Sequence, residues 1–349
     1  MIFDDPIFFL LLFSSFISTI LAISSILFLK LFPNIQDIPN KRSLHEEAKP
    51  RIGGVIFMII ILIFWLVSDF IVLPIINTFY LSLVTISLMA ISFLDDLKSI
   101  SALVRIIFHF ILVSFFILSI NLDLNLLFLF CIIILMVWMI NLFNFMDGSD
   151  GLAAGMAVIG FGSYFTASFL AGDFGFAIKN GIIAMCLLGF LFFNFPPAKV
   201  FMGDVGSISL GFLSGAIGII GWEKEIWPIW FPLVIFSPFI VDSSVTLFKR
   251  ILKREKFWQA HREHYYQRLI LLGWSHKKTA IILYLVMILL SSISFYSMNN
   301  SANSCCEIFG INSLSAFLII IFISYSLSVI YIDKKWKNFL ENNKSTHQQ

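Results

Sequence analysis

Runs of about 20 apolar residues follow one another along the whole chain, and few architectures can hold such a pattern. Each run is long enough to cross the hydrocarbon core of a membrane as a helix. They fall near 6–29, 54–71, 75–94, 102–120, 126–145, 152–171, 176–195, 207–222, 227–248, 279–298 and 312–332, which makes eleven crossings. Because the apolar residues stand in blocks instead of alternating, a membrane β-barrel is excluded. A soluble core is excluded as well, since a chain that is 59% hydrophobic, with 41 Phe, has only 13% charged residues to cover it. The mean hydropathy of +0.95 rules out disorder. The expected fold is an all-α, polytopic bundle of membrane helices.

The first run follows Asp4 and Asp5, has no basic residue ahead of it and no small-residue cleavage site, and ends at Lys30. It therefore reads as a spanning helix and not as a signal peptide. The run near 207–222 is the weakest, because Gly211, Gly215, Gly218 and Gly221 dilute its hydropathy. Glycines at that spacing are expected to mark close helix packing. Of the 23 Lys and Arg, all but Lys179 and Lys224 lie on the side of the loops after spans 1, 3, 5, 7 and 9 and of the C-terminal tail. The positive-inside rule then places the N-terminus outside and the C-terminus in the cytoplasm, as an odd number of crossings requires. A net charge of +2 gives no reason to expect nucleic acid as a partner. Cys131 and Cys186 lie inside apolar runs and read as small core residues, while Cys305 and Cys306 are adjacent in an external loop, with no metal-ligand spacing among the four.

The acidic residues gather on the basic side. Asp95-Asp96 follow span 3, Asp147 and Asp150 follow span 5, and Asp204 follows span 7. Clustered carboxylates at the ends of separate helices repel one another unless a cation or proton is shared, so a divalent metal is the natural occupant. Mg²⁺ is the first expectation, with Mn²⁺ as a substitute, because it takes one or two carboxylates together with water and substrate phosphate. Asn141 and Asn144 lie one helical turn apart and add two amides to one face. The Asp-Gly pairs at 147–148 and 150–151 do not make a calcium loop, since Val158 stands where the bidentate Glu would be. The stretch Lys199 to Ser207 runs straight into span 8, and Ser207 as its cap would offer a seat for phosphate at a helix N-terminus.

The longest inside loop carries Lys249, Arg250, Lys253, Arg254, Lys256, Arg262, Arg268, Lys277 and Lys278 against Glu255 and Glu263. Such a loop attracts anionic lipid heads, but His261-Arg262-Glu263-His264 within it also suits a pyrophosphate. Arg supplies a planar fork and His a donor. A proton-coupled transporter is the reading from another class, with Asp242 and His109 as the embedded ionisable residues. It accounts poorly for acids placed at helix ends and not near the midplane. A purely structural scaffold gives no reason to gather acids, amides, His and Arg on one face.

These motifs, in order, resemble the polyprenyl-phosphate N-acetylhexosamine-1-phosphate transferases, also grouped as glycosyltransferase family 4. That family includes phospho-MurNAc-pentapeptide translocase and the enzymes that start O-antigen and teichoic acid synthesis. The resemblance covers nearly the whole chain. It rests on Asp37-x-Pro39-Asn40-x-Arg42-Ser43-x-His45 leading to Pro50-Arg51-x-Gly53-Gly54, then Asp95-Asp96, Arg105, the Asn141–Gly151 stretch, Gly203-Asp204-x-Gly206-Ser207 and His261-Arg262-x-His264. One departure is Ser99, where the family often has Asp or Asn. The start of the pattern looks more like the O-antigen and surface-polysaccharide initiators than the peptidoglycan branch.

The resemblance implies transfer of a sugar 1-phosphate from a UDP-N-acetylhexosamine to undecaprenyl phosphate, with release of UMP, at the cytoplasmic face of a bacterial inner membrane. It implies Asn144 and Asp204 as metal ligands and Asp95, Asp96 and Asp147 as catalytic acids. Phe201 and Asp150 would take the uracil, and Arg105, His261, Arg262, His264, Arg42 and His45 the pyrophosphate and sugar. The organisation it implies is a single transmembrane catalytic domain over 1–333, with active-site loops at 31–53, 95–101, 146–151, 196–206 and 249–278, and a cytoplasmic tail over 334–349. Membrane lipid is a further expected partner. Which N-acetylsugar is used, and whether the chain works as a homodimer, are left open by the residues.

Overall fold

A computed structural model describes residues 6–29, 36–39, 47–71, 76–98, 100–255, 261–300 and 313–346. Arg42, His45, Ser99, Cys305 and Cys306 lie outside the described residues. The chain is a membrane bundle, almost wholly helical. In order come α1 (Pro6–Phe28), the short strands β1 (Gln36–Asp37) and β2 (Lys49–Pro50), α2 (Gly53–Ile71), α3 (Ile76–Lys98), α4 (Ala102–Ser119), α5 (Leu126–Met146), α6 (Leu152–Leu170) and α7 (Phe174–Asn194). They are followed by α8 (Gly203–Glu223), α9 (Trp230–Ile235), α10 (Ser237–Leu252), α11 (Tyr265–Leu271), α12 (His276–Asn300) and α13 (Ser313–Thr346). Among the described residues, ten helices are long and apolar enough to cross a membrane. The remaining expected crossing, near 227–248, is delivered as α9 and α10. Pro238 in the first turn of α10 has no N–H to continue the helical ladder, and its ring crowds the preceding turn. The Val234 carbonyl is taken instead by the Ser237 hydroxyl at 2.7 Å.

The bundle is built around α8. Leu210, Phe212, Leu213 and Ala216 are fully buried in it. The expectation of close packing at its glycines holds: a Cβ on Gly211 would lie 2.6 Å from the Ile140 Cα of α5, and one on Gly54 would lie 2.5 Å from the Gly206 backbone nitrogen. At Gly54 and Gly206 two backbones meet because neither helix has a side chain in the way. The helix also starts a turn earlier than expected, at Gly203, whose φ of 72° bends the chain into it. Ser207 is therefore not the cap. Its hydroxyl lies inside the helix and donates to the Gly203 carbonyl at 3.2 Å. Large apolar side chains such as Phe9, Phe13, Leu126, Phe192 and Phe322 point outward, as lipid-facing positions require. Cys131 is among the exposed residues, which corrects its reading as a core residue, whereas Cys186 is buried.

The two ends of the bundle differ in charge. At one end, the two basic residues set apart by the sequence are each neutralised, Lys179 by Asp69 at 2.6 Å and Lys224 by Asp173 at 2.8 Å. The opposite end gathers the start of α2, the end of α3, the start of α4, the end of α5 and the start of α8.

Candidate active site

The segment before α2 is strapped to the segment before α8 by its backbone. Pro50 accepts from the Phe201 N–H at 2.8 Å, and Gly53 and Gly54 donate to the Phe201 and Met202 carbonyls at 3.0 and 2.9 Å. The strap carries Arg51 across to Asp204, in the first turn of α8. Its guanidinium bonds Asp204 Oδ1 and reaches Asp96 Oδ1 at 3.3 Å. Arg105, in the first turn of α4, bonds Asp95 Oδ2 at 2.6 Å and reaches Asp204 Oδ2 at 3.4 Å. Asp95 Oδ1 also takes the Ile100 N–H at 2.6 Å, so both of its oxygens hold donors. Three of the expected acids and one expected base thus form a single network. Arg51, which the sequence placed only inside a motif, is the second base. The signal was its place in Pro50-Arg51-x-Gly53-Gly54, but its partner lies 153 residues away.

Asp147 and Asn144 border this network at the end of α5. Asp147 accepts the Gly203 N–H, and Asn144 donates to the Ser207 hydroxyl at 3.3 Å. Asn141 turns back on its own helix and donates to Val137 at 2.7 Å, so the two amides do not act together. Burial, reinforced by Asp204 and Asp37 and opposed by Arg51, pushes the Asp147 carboxyl well above the ordinary carboxylate range. At Arg51 burial disfavours the charge, but Asp204, Asp96, Asp37 and Asp147 outweigh it and hold the guanidinium charged. The donor atoms are carboxylate and amide oxygens with no thiolate, which fits a hard ion such as Mg²⁺ or Mn²⁺. Among the described residues no three His, Cys, Asp or Glu converge closely enough to hold a metal by themselves. That arrangement is compatible with an ion taking one or two carboxylates and completing its shell with water and phosphate.

A second loop pair stands beside the first. Asp150 accepts the Ala198 N–H at 2.9 Å, and Asn194 ties the same two segments by accepting from Gly151 at 3.1 Å and donating to Val200 at 2.9 Å. Asn194 is buried and was not singled out by its sequence, where it is one amide at the end of an apolar run. Phe201 keeps a partly exposed ring with the Lys49 ammonium 5.4 Å from its centroid.

The His261–His264 loop joins through α5 and α10. The His264 ring stacks on Phe145, one residue from Asn144, with centroids 5.6 Å apart, and Tyr266 donates to the Phe145 carbonyl at 2.9 Å. Its carboxylate partner is Asp242, outside the Asp95–Asp204 network, at 3.2 Å from Nδ1. Asp242 also accepts the N–H groups of Tyr265 and Tyr266, both at 2.9 Å. A carboxylate at the start of α11 is favourably placed against these N–H groups, which have no partner within the helix. His261 packs against His264 with centroids 4.9 Å apart, and its Nδ1 accepts the Glu263 N–H at 3.3 Å, which leaves the ring proton on Nε2. Burial, then His264 and Arg250, push the His261 imidazole down to about 4. It is neutral at pH 7. Arg262 lies between the two histidines, half-buried.

The family model for glycosyl transferase family 4 matches residues 78–222, which include Asp95, Asp96, Arg105, Asp147 and Asp204. A phospho-N-acetylmuramoyl-pentapeptide-transferase of Staphylococcus aureus (strain bovine RF122 / ET3-1) is 30% identical over 303 residues, covering 76% of this chain and 93% of the relative. The chain belongs to glycosyl transferase family 4. A probable undecaprenyl-phosphate N-acetylglucosaminyl 1-phosphate transferase of Bacillus subtilis (strain 168) is also similar, 28% identical over 272 residues that cover 72% of this chain and 74% of that one. As a glycosyl transferase family 4 enzyme, the chain has its ionic network at one end of a multi-pass bundle, within the stretch that the family model matches.

Proposed function

We propose that this enzyme transfers an N-acetylhexosamine 1-phosphate from a UDP-sugar to undecaprenyl phosphate, releasing UMP and forming a lipid-linked pyrophosphoryl sugar that starts O-antigen or another cell-surface polysaccharide. The observation that carries this reading is the meeting of Arg51 and Arg105 with Asp95, Asp96 and Asp204 at one end of a membrane bundle, in a chain of this family. One substrate is water-soluble and anionic, and the other is a lipid whose phosphate lies at the interface. Such a network at a bundle end is where both can arrive. The bacterial inner membrane, with this end in the cytoplasm, is the location that goes with it.

In the transfer, an oxygen of the lipid phosphate bonds to the sugar-bearing phosphorus while the bridging P–O bond to UMP breaks. A phosphate monoester has a second pKa of roughly 6, so the lipid phosphate is mostly dianionic at neutral pH and no proton has to be removed. Asp95 is then a support for Arg105 and not a base. Mg²⁺, or Mn²⁺ in its place, would be held by Asp204 and Asn144 with Asp96 and Asp147 at hand, and when bound it neutralises the charge that spreads over the phosphoryl group. Arg105, Arg262, His261 and His264 hold the pyrophosphate, the last through its Nε2 edge while Nδ1 stays on Asp242. Arg42 and His45 belong to the same role by position in the motif. Phe201 stacks on uracil, and the Asp150 oxygen that does not hold Ala198 accepts from it.

Purified protein given undecaprenyl phosphate, Mg²⁺ and a panel of UDP-N-acetylsugars should release UMP and form the lipid product with at least one of them. Silence with every sugar would refute the reading. Phe201→Ala should weaken UMP binding about five- to a hundred-fold, the range of one base–aromatic stack, and unchanged binding would remove Phe201 from the uracil site. Because His261 is held neutral, with a value near 4, it contributes no ionisation between pH 6 and 8. A pH–rate profile of His261→Asn should keep the wild-type shape across that window, whatever its height.

A further inference from the structure

Arg51 and Arg105 both touch Asp204, but they are held differently. Arg105 has its own carboxylate, Asp95, at 2.6 Å, and only a long contact of 3.4 Å to Asp204. Arg51 bonds Asp204 directly and has Asp96 as its second partner at 3.3 Å, with Asp37 and Asp147 as the other charges around it. Its side chain is 32% exposed, so it is not fully enclosed by the helices around it. Nor does the local fold depend on that contact, because the segment is strapped by the backbone bonds from Pro50, Gly53 and Gly54 to Phe201 and Met202. The floor under the side chain is Gly203, where a Cβ would lie 2.9 Å from Arg51 Cγ and 3.2 Å from Nε. The path of the side chain is thus kept clear by a residue whose φ of 72° also suits glycine.

A divalent ion on Asp204 would share that carboxylate with the Arg51 guanidinium, which already bonds Oδ1, and two cations so close repel. Arg105 can remain on Asp95, so Arg51 is the group that must move. A planar fork released next to a nucleotide-sugar has a fitting partner in its diphosphate, which accepts two parallel N–H bonds. We propose that Arg51 is a movable counter-ion, exchanging Asp204 for the substrate diphosphate when a divalent cation binds, and so linking cation and nucleotide-sugar affinity. This rests on the transfer reading for the identity of the diphosphate, while the exchange at Asp204 stands apart from it. Linkage of this kind is reciprocal: whatever helps the cation displace Arg51 helps the diphosphate capture it.

The test uses Mn²⁺ alone as the probe, titrated into full-length protein in detergent and read by electron paramagnetic resonance. Arg51→Gln should bind Mn²⁺ at least about ten-fold more tightly than wild type, because the competing cation is gone. Adding Asp204→Asn to Arg51→Gln should abolish that gain. Melting temperature should barely move, since the backbone strap is intact. Arg51→Lys provides a second variant should the glutamine protein not accumulate: it keeps the charge and loses the fork, so Mn²⁺ binding should stay near wild type while UMP release falls. Equal or weaker Mn²⁺ binding by Arg51→Gln, a gain that survives in the double variant, or tightening in Arg51→Lys would each overturn the exchange. If Mn²⁺ binding behaves as expected but wild type releases UMP from no UDP-N-acetylsugar, the exchange stands and the transfer reading falls.

Discussion

Asp204→Asn is expected to lower UMP release about a thousand-fold while the protein still folds and inserts. The carboxylate is the meeting point of the site, joined by Arg51 at one oxygen and by Arg105 at the other. Removing its charge withdraws the strongest anchor that the proposed divalent ion would have and leaves two guanidinium groups with one fewer charged acceptor between them. Electrostatic groups aimed at a reacting phosphoryl centre are each worth roughly two to three orders of magnitude when deleted, and this one acts on several partners at once. The fold should tolerate the change because α8 is held by its glycine contacts with α2 and α5 and by its buried apolar face. UMP release across a Mg²⁺ titration, beside a thermal melt in detergent, checks both halves. Excess Mg²⁺ should restore only part of the rate. Normal turnover in Asp204→Asn would take the ion away from this residue.

The second large effect is expected at Asp242, and it differs in kind. Asp242→Ala should lower the melting temperature markedly and abolish transfer together, since the carboxylate accepts from two backbone N–H groups and from His264 in a buried setting. Hydrogen bonds to a charged acceptor are worth about 1.5–3 kcal/mol each, and orphaning buried donors adds their desolvation cost. Asp242→Asn keeps the shape but turns an amide N–H toward donors, so it should fall between wild type and alanine in stability. A transporter that used Asp242 to carry a proton would behave differently, with stability kept and transport lost. The residue's lone pairs are already committed to α11 and His264, which makes it a positioning group for the His261–His264 loop. The break between α9 and α10, the kind of feature transporters use, carries no acid at Phe236 or its neighbours.

How much of this was legible in the chain itself depends on the range of the interaction concerned. Apolar runs longer than a bilayer, and the bias of Lys and Arg to one side, are local properties, so the helices, and the sidedness expected of them, follow from composition within a window. The acids at helix ends were legible for the same reason, since Asp95, Asp147 and Asp204 each terminate or start an apolar run. Partner choice was not. Nothing in the stretch around Arg51 marks Asp204 as its acceptor, because that pairing exists only once the Gly54–Gly206 approach brings α2 against α8. Asp242 looked like an embedded acid until α11 folded back over it with two N–H groups. Ser207 looked like a cap until Gly203, in the left-handed region, began the helix a turn sooner. The sequence by itself determined which segments enter the membrane and which charged groups remain at its edge, because transfer of a segment into lipid is an additive sum over its own residues. Only the tertiary structure decided which carboxylate answers which guanidinium, because an ion pair depends on distances of a few ångströms between segments that the chain keeps far apart.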